Sequence, residues 1–339
     1  MHTRGVAAVA ALLFAAASCG KPASDHKSKT TTPTGAPIEL GSVPASATVV
    51  LGANVKALVR SRLVTRAAAQ MFERDPALKK RLDRLRADCA FDPAKDLDRV
   101  VIGLGTGPDD VVLIASGHFD PARVGDCLNR ALGGGGGNVT VKSTGPHKLY
   151  RADTGTHVVW VAVGTNGTLA LSRSETFLDD ALGSGPKVTE SAEMKPVLAR
   201  ANRQAPLWAA GLVPERVGKG LVQATGGQVA APPHAAYGQL DPENGIHAVL
   251  GVVMADQMDA KAAASKAVLE LALGAMVAQR LGLGPIVAKI QAQAQGAVLA
   301  MSLDLTIDEL NQLLQAWPGG TPPTAPGRDA GAAASASGP

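Results

Sequence analysis

The sequence contains few aromatic residues, and this scarcity limits both its core and its partners. Phe, Trp and Tyr make up 3% of the 339 residues, so a chain that is 46% hydrophobic must build its core mainly from Val, Leu, Ile and Ala. Aromatic rings that stack on bases and a strong excess of basic charge are the two features that nucleic-acid binding uses most. The chain has few such rings and a formal net charge of only +4. We therefore expect no nucleic-acid partner.

The common signatures of catalysis are also absent from the sequence. There is no Gly-x-Ser-x-Gly nucleophile elbow and no Gly-x-Gly-x-x-Gly fingerprint, and Gly218-Lys219 lacks the spaced upstream glycine of a phosphate loop. Each absence removes one class of enzyme, so we expect no enzymatic activity and no cofactor. A hydrolase that acts through two dispersed carboxylates remains the alternative.

The histidines do not have the spacing of metal ligands, and the His-Glu-x-x-His pattern of zinc hydrolases is missing. Their positions within and beside apolar runs are better explained by a structural role in strands. The histidines after the first 18 residues are His26, His118, His147, His157, His234 and His247. We expect no metal site.

The N-terminus has the pattern of an export signal. Residues 1–18 carry Arg4, then an uncharged apolar run too short to span a bilayer, and the run closes on Ala16-Ala17-Ser18 before Cys19. This ending resembles the lipobox of bacterial lipoproteins, although Ala16 stands where Leu is commonest. The resemblance implies cleavage after Ser18, diacylglyceryl attachment to Cys19 and acylation of the new N-terminus with a fatty acid such as palmitate. The protein is then anchored to a membrane of the cell envelope.

The residue that follows Cys19 is Gly20 rather than Asp, and in lipoproteins this favours the outer membrane over the inner one. Residues 19–45 are rich in Lys, Ser, Thr and Pro and have no apolar periodicity, so we predict a disordered tether. Residues 318–339 have a similarly low complexity and are predicted to be a disordered tail. The folded body lies between these two segments.

The sequence pattern of the body predicts two α+β repeats, residues 46–188 and residues 189–317. Each repeat has the predicted order strand, helix, hairpin, helix, hairpin, helix, and antiparallel sheet is expected to be covered by helices on one face. In this scheme residues 111–132 correspond to residues 246–273, and the hairpin around His147 is an insertion in the first repeat. The lead-in Pro44-Ala45-Ser46-Ala47 and this arrangement resemble uncharacterised duplicated domains of bacterial surface and periplasmic proteins.

Two functions follow from this organisation. The first is a non-enzymatic envelope protein that binds a partner or has a structural role. The alternative is a carrier or chaperone for a hydrophobic ligand, with an apolar pocket beneath the Ala-rich helix predicted over residues 256–281. Lys261, Lys266 and Glu270 interrupt this helix, so we do not expect it to span a membrane.

The remaining cysteines predict a disulfide bond. If Cys19 is acylated, only Cys89 and Cys127 are left, and an exported chain meets an oxidising compartment. Cys127 lies on the apolar side of a predicted helix and Cys89 follows another helix, so both side chains are expected to point inward. The alternative is a pair of buried free thiols that behave as small hydrophobes.

Overall fold

The computed structural model describes residues 40–316 except 119, 134–136, 145–146, 154, 156, 165–166 and 281. Over these residues the chain has an α+β fold with one twelve-stranded sheet, in which every strand pair is antiparallel. The strands are β1 (Val49–Asn54), β2 (Leu97–Leu104), β3 (Val111–Gly117), β4 (Asn138–Thr144), β5 (His147–Asp153), β6 (Val158–Val163), β7 (Thr168–Ser172), β8 (Leu207–Leu212), β9 (Ala235–Asp241), β10 (Ile246–Val253), β11 (Gln291–Gln295) and β12 (Val298–Leu305).

Helices lie in five of the connections between these strands and after the last strand. They are α1 (Val55–Arg60), α2 (Arg62–Arg74), α3 (Pro76–Cys89), α4 (Pro93–Asp96), α5 (Pro121–Gly133), α6 (Glu175–Leu182), α7 (Met194–Arg200), α8 (Glu215–Ala224), α9 (Gln257–Gln279), α10 (Gly284–Val287) and α11 (Ile307–Ala316). A short 3-10 turn, Leu40–Ser42, precedes β1. The predicted α+β class with antiparallel sheet is therefore confirmed.

The strand order is the same in both halves when it is counted outward from the centre. The sheet runs β11-β12-β10-β9-β8-β1-β2-β3-β7-β6-β5-β4, so β8 and β1 are central neighbours. From β1 outward, the first half adds a hairpin, β2–β3, and then a second hairpin in reverse order, β7–β6. The second half does the same with β9–β10 and β12–β11, while β5 and β4 extend only the first half. Whether the halves superpose residue by residue stays a prediction.

Side chains set the starts of most helices. Asn54, Ser61, Asp75, Ser174 and Asp256 each accept a backbone N–H in the first turn of α1, α2, α3, α6 and α9, respectively. Such caps satisfy donors that have no partner within the helix, and each is worth about 1 kcal/mol. These positions agree with the predicted helix starts at Pro76, after Ser174 and after Asp256.

Two predicted elements were wrong in detail. The apolar periodicity of residues 55–73 predicts a single helix, but the chain breaks at Ser61 into α1 and α2. Ser61 is fully buried, and its Oγ donates to the carbonyl oxygen of Pro242 at 2.5 Å. The sequence from Ile286 to Gln295 predicts a strand, but Pro285 helps to start the short helix α10, and the strand begins only at Gln291.

The sheet has helices on both faces rather than on one. We call the face that carries Val50 and Val112 the core face; it packs on Leu178 of α6 and Val197 of α7. We call the opposite face, which carries Leu51, the cavity face, because the two apolar cavities described below lie against it. Helices α1–α5 cover its first half, and α9 packs on its second half.

Candidate functional site

A disulfide bond joins two helices above the cavity face. Cys89 is the last residue of α3, Cys127 lies in the middle of α5, and their Cα atoms are 4.7 Å apart. This distance is within the range that a disulfide requires, which is below about 7 Å. The structure thus contains the predicted pairing of Cys89 with Cys127, and it fastens α3 to α5.

These two helices form a roof that rests on the outer strands. Helix α3 packs against α5 and α2, while α5 packs against β4 and β5. Gly125 is the point of closest approach to the sheet: a Cβ added there would lie 2.8 Å from the Tyr150 ring. The roof thus meets the sheet mainly at β4 and β5, and Val124 and Leu128 of α5 also pack against the cluster that contains Val161 of β6.

The space under this roof is a cavity of about 470 Å³, which we call the disulfide cavity. Its walls are the sheet, the disulfide and the facing sides of α3 and α5. Several of its apolar residues, such as Leu113, Leu169 and Leu171 of the sheet and Val124 and Leu128 of α5, are only half-buried. Their side chains line the space, so the cavity surface is largely apolar, and Val124 and Leu128 also pack on the cluster that contains Val161. The further apolar lining residues are Leu85, Phe91, Leu97, Val100, Ala115 and Val161.

Four polar residues line the disulfide cavity at one end, where the His118 N–H donates to the Asp96 carbonyl oxygen at 2.6 Å: Asp96, His118, Asp120 and Arg123. His118 and Arg123 line that end and are largely exposed, with side chains that are 73% and 67% accessible. Arg123 Nε lies 3.5 Å from Asp120 Oδ2, and His118 Nδ1 lies 3.5 Å from Asp98 Oδ1. The exposure of these groups marks a polar rim where the apolar space opens to solvent.

A second apolar cavity of about 370 Å³ lies next to the first on the cavity face. Leu51, Leu58 and Leu207 line this central cavity, and Val100 lines both cavities, so they share a wall. Neither cavity is lined by α9. The predicted position of an apolar pocket, beneath residues 256–281, was therefore wrong.

The reason lies in the inward side of α9. Ala260, Ala263 and Ala264 are buried there, and the helix packs directly on β11 and β12. Small side chains let a helix approach a sheet closely, and such an approach leaves no room for a ligand. The larger side chains of α3 and α5, together with the outward position of the roof, leave that room in the first half.

Titratable groups with perturbed pKa values do not converge on either cavity. Lys289 Nζ donates to Glu309 at 2.7 Å, and this hydrogen bond, with another from the Thr306 N–H, lowers the pKa of Glu309 to about 2. The Gly155 N–H lowers the pKa of Asp153, and burial lowers the pKa of Lys187. These groups lie on three different elements. Within the described parts of the chain, no three His, Cys, Asp or Glu side chains are grouped so that they could hold a metal ion.

The spacing of Thr306 and Glu309 in the sequence predicts a capping box for the last helix, and the Glu309 contacts confirm it. Glu309 Oε2 accepts from the Thr306 N–H at 2.9 Å, and Thr306 Oγ1 accepts from the Glu309 N–H at 3.3 Å. Cys19, the predicted lipidation residue, lies outside the described residues. The signal peptide, residues 19–39 of the predicted tether and the tail lie outside them as well. The last part of the predicted tether is ordered rather than disordered, because Leu40, Val43 and Pro44 are buried in the body.

Sequence reasoning found the disulfide but not the cavity that it closes. The signal was present in part, because the continuous apolar run of β3, the pattern of β7 and the apolar side of α5 place Leu113, Leu171 and Leu128 on surfaces that face one another. The width of the space between them depends on how far the roof stands from the sheet, and no local pattern encodes that distance.

No protein-family model matches the chain, and no curated protein sequence matches it. Solved structures of a protein called TP0453 are similar to it. Crystal form I has a TM-score of 0.43 and 11% identity over 83% of this chain and 98% of that chain. Crystal form III has a TM-score of 0.44 and 12% identity over 82% and 97% of the respective chains. At this level of similarity we transfer nothing from TP0453 to this protein.

Proposed function

We propose that the protein is a lipid-anchored protein of the cell envelope, without enzymatic activity, that binds the apolar chain of an amphiphilic ligand in the disulfide cavity. The observation that carries this proposal is the roofed, apolar space of about 470 Å³ with polar groups at one end only. Pockets for small ligands commonly have volumes of 300–1,000 Å³ and are mostly apolar. The proposal of an anchor rests on the resemblance of the sequence before Cys19 to a lipobox.

The energetics favour an apolar occupant. An engineered apolar cavity of about 150 Å³ stays dry and binds benzene, and the disulfide cavity is about three times larger. Each methylene transferred from water to an apolar site contributes about 0.8 kcal/mol, so an acyl segment of six carbons would gain about 5 kcal/mol before the cost of ordering. Within the cavity a charged ligand group would lose its hydration without a partner, so it would remain at the rim beside His118 and Arg123.

Several features support binding over catalysis. The walls of the cavity offer apolar side chains and a disulfide, whereas acid–base chemistry requires titratable groups in contact with the reacting atoms. The polar groups at the rim are largely exposed, and exposed groups gain little from electrostatic preorganisation. A partner-binding or structural role of the outer surface is compatible with ligand binding in the cavity, because the two roles would use different parts of the molecule.

Mass spectrometry tests the proposal most directly. Protein extracted in mild detergent from its own membrane should carry, under native conditions, a mass increment that is released on denaturation and contains an aliphatic chain. The covalent mass of the denatured chain then reports acylation of Cys19 separately. Recovery of the protein without any released amphiphile would contradict the carrier function.

A second experiment fills the cavity with a large side chain and compares the result with a control substitution outside it. Val124→Trp on α5 or Leu85→Trp on α3 should reduce the affinity for a fluorescent fatty acid at least tenfold, because the indole occupies the space of the acyl chain. Val217→Trp is the control, since Val217 is 53% exposed on α8, outside the cavity lining. Equal affinity in all four proteins, including the wild type, would show that the probe binds elsewhere.

A further inference from the structure

Helix α9 presents a stripe of large apolar side chains to solvent. Met258, Leu269, Leu273 and Met276 are 80%, 54%, 45% and 60% exposed, respectively. Their spacings of eleven, four and three residues bring them to one side of an α-helix. We call this side the outer stripe. It runs along most of a helix of 23 residues, which is about 35 Å long.

The opposite side of α9 holds the helix against the body of the protein. Buried alanines pack there on β11 and β12, as described above. Asp259 is buried as well, and its carboxylate accepts from the N–H groups of Ala230 at 2.7 Å and Ala231 at 3.2 Å. An ordinary surface helix turns its large apolar side chains inward. In α9 the small residues face inward and the large apolar residues face outward, so this orientation needs an explanation beyond folding.

Basic groups flank the outer stripe. Lys261 and Lys266 lie on α9, and Arg280 follows its last residue. Besides the buried Asp259, Glu270 is the only acidic residue of the helix, and it pairs with Lys266 at 2.7 Å. With the exposed N-cap residue Asp256 included, α9 and its two ends have a net charge of +1, from three basic and two accessible acidic residues. Long basic side chains that flank an apolar surface can reach lipid headgroups while their stems stay in apolar contact.

Length and composition alone would allow α9 to cross a membrane, and among the described residues it is the one helix that meets both conditions. Only 11% of its most apolar stretch is buried within the protein. Crossing would however require Asp259 to leave its two backbone partners and the alanine side to leave the sheet. An orientation parallel to the membrane plane keeps all of these contacts.

We propose that the outer stripe of α9 lies in the interface of a bilayer that contains anionic lipids, with the helix axis parallel to the membrane plane. The four apolar side chains enter the boundary between headgroups and acyl chains, and the flanking basic groups contact anionic headgroups. This inference is independent of ligand binding. It takes from the proposed function only the lipid anchor at Cys19, which would hold the domain near the bilayer, because the tether predicted from the sequence would have a mean reach of about 25 to 30 Å as a flexible chain.

Vesicle binding of unacylated protein tests this surface without the anchor. The mature chain from Gly20 to Pro339 contains every described residue, and it should sediment with vesicles of phosphatidylcholine and phosphatidylglycerol in a 3:1 ratio. Binding should weaken at higher salt and with vesicles of phosphatidylcholine alone. Leu269→Glu/Leu273→Glu should reduce the partition coefficient at least tenfold. Val141→Glu/Ile307→Glu, which adds the same charge at positions that are 58% and 39% exposed on other elements, should bind much as the wild type does.

Three results would overturn the proposal. Equal vesicle binding by the two double variants would exclude the outer stripe as the contact. A wild-type dimer in vesicle-free solution that becomes monomeric in Leu269→Glu/Leu273→Glu would identify the stripe as an interface between two copies of the chain. Resistance of the vesicle-bound protein to alkaline carbonate would indicate a spanning helix. None of these results depends on acylation, which Cys19→Ser tests separately.

Discussion

Gly52 lies directly opposite Trp208 across the central strand pair β1–β8, and the indole ring occupies the space that a side chain at position 52 would need. This contact lies at the seam between the two halves of the chain. Trp208 belongs to the buried cluster on the core face, together with Val50 and Ala210. The Trp208 ring can therefore pack at this seam only because Gly52 has no side chain.

We predict that Gly52→Ala destabilises the protein by about 2 kcal/mol or more, because a Cβ at position 52 would lie 2.1 Å from the buried Trp208 ring and would displace it from its packed position. Gly220→Ala is the control: a Cβ at this exposed position in α8 meets no atom within 4 Å. It should leave stability unchanged or raise it by up to about 1 kcal/mol, because alanine favours helix. Denaturant unfolding of both variants measures the difference. Equal midpoints would show that the ring moves aside at little cost.

The bond between Cys89 and Cys127 should contribute to stability as well as to the shape of the cavity. A loop closed by residues 38 apart corresponds to about 4 kcal/mol in the chain-entropy model. Cys89→Ser/Cys127→Ser should lose a large part of this stability and bind a fluorescent fatty acid more weakly, because α3 is no longer fastened to α5. A chain that lacks Cys19 but is otherwise wild type should show no free thiol when it is denatured without a reductant. Alkylation of both cysteines under those conditions would refute the bond.

The contact between Glu309 and Lys289 predicts a pH dependence. The pKa of Glu309 is lowered to about 2 from an ordinary value of 4.5, so the ionised carboxylate stabilises the folded state above about pH 4.5. This contribution is lost as the pH falls from 4.5 towards 2. Glu309→Gln should therefore have a lower Tm than the wild type at pH 7, and the difference should shrink over that range. Asp308→Asn removes a neighbouring charge in the same helix turn and should show a smaller difference at pH 7.

Membrane anchoring depends on Cys19 in the proposed function. Cys19→Ser should block acylation and processing, so the chain should keep its signal peptide and the covalent lipid should be absent from its mass spectrum. After removal of the signal by an engineered protease site, the variant should partition into the soluble fraction at high salt, where the contact of α9 with headgroups is weakened. A processed, acylated Cys19→Ser chain would be incompatible with this assignment.

Elements that depend on local chemistry could be predicted from the sequence. Asp75 before Pro76, and Thr306 with Glu309, set helix starts through contacts within four residues, and the turn between β2 and β3 follows from Gly107 and Asp110. The break at Ser61 could not be predicted, because its hydroxyl bonds to a carbonyl oxygen 181 residues away. The position of the cavities has the same origin, since it depends on how far whole helices stand from the sheet.

The pairing of β1 with β8 makes the two halves dependent on each other during folding. Residue 49 pairs with residue 211, so β1 has one sheet neighbour, β2, until the chain beyond β8 has been synthesised. During that interval the N-terminal half carries a bare strand edge, and such an edge attracts other unpaired strands. Each half therefore pairs with the strand edge that the other half would otherwise leave exposed. A chain that ends between the two halves would leave six backbone N–H and C=O groups of Val49–Asn54 without sheet partners. We expect such a chain to aggregate.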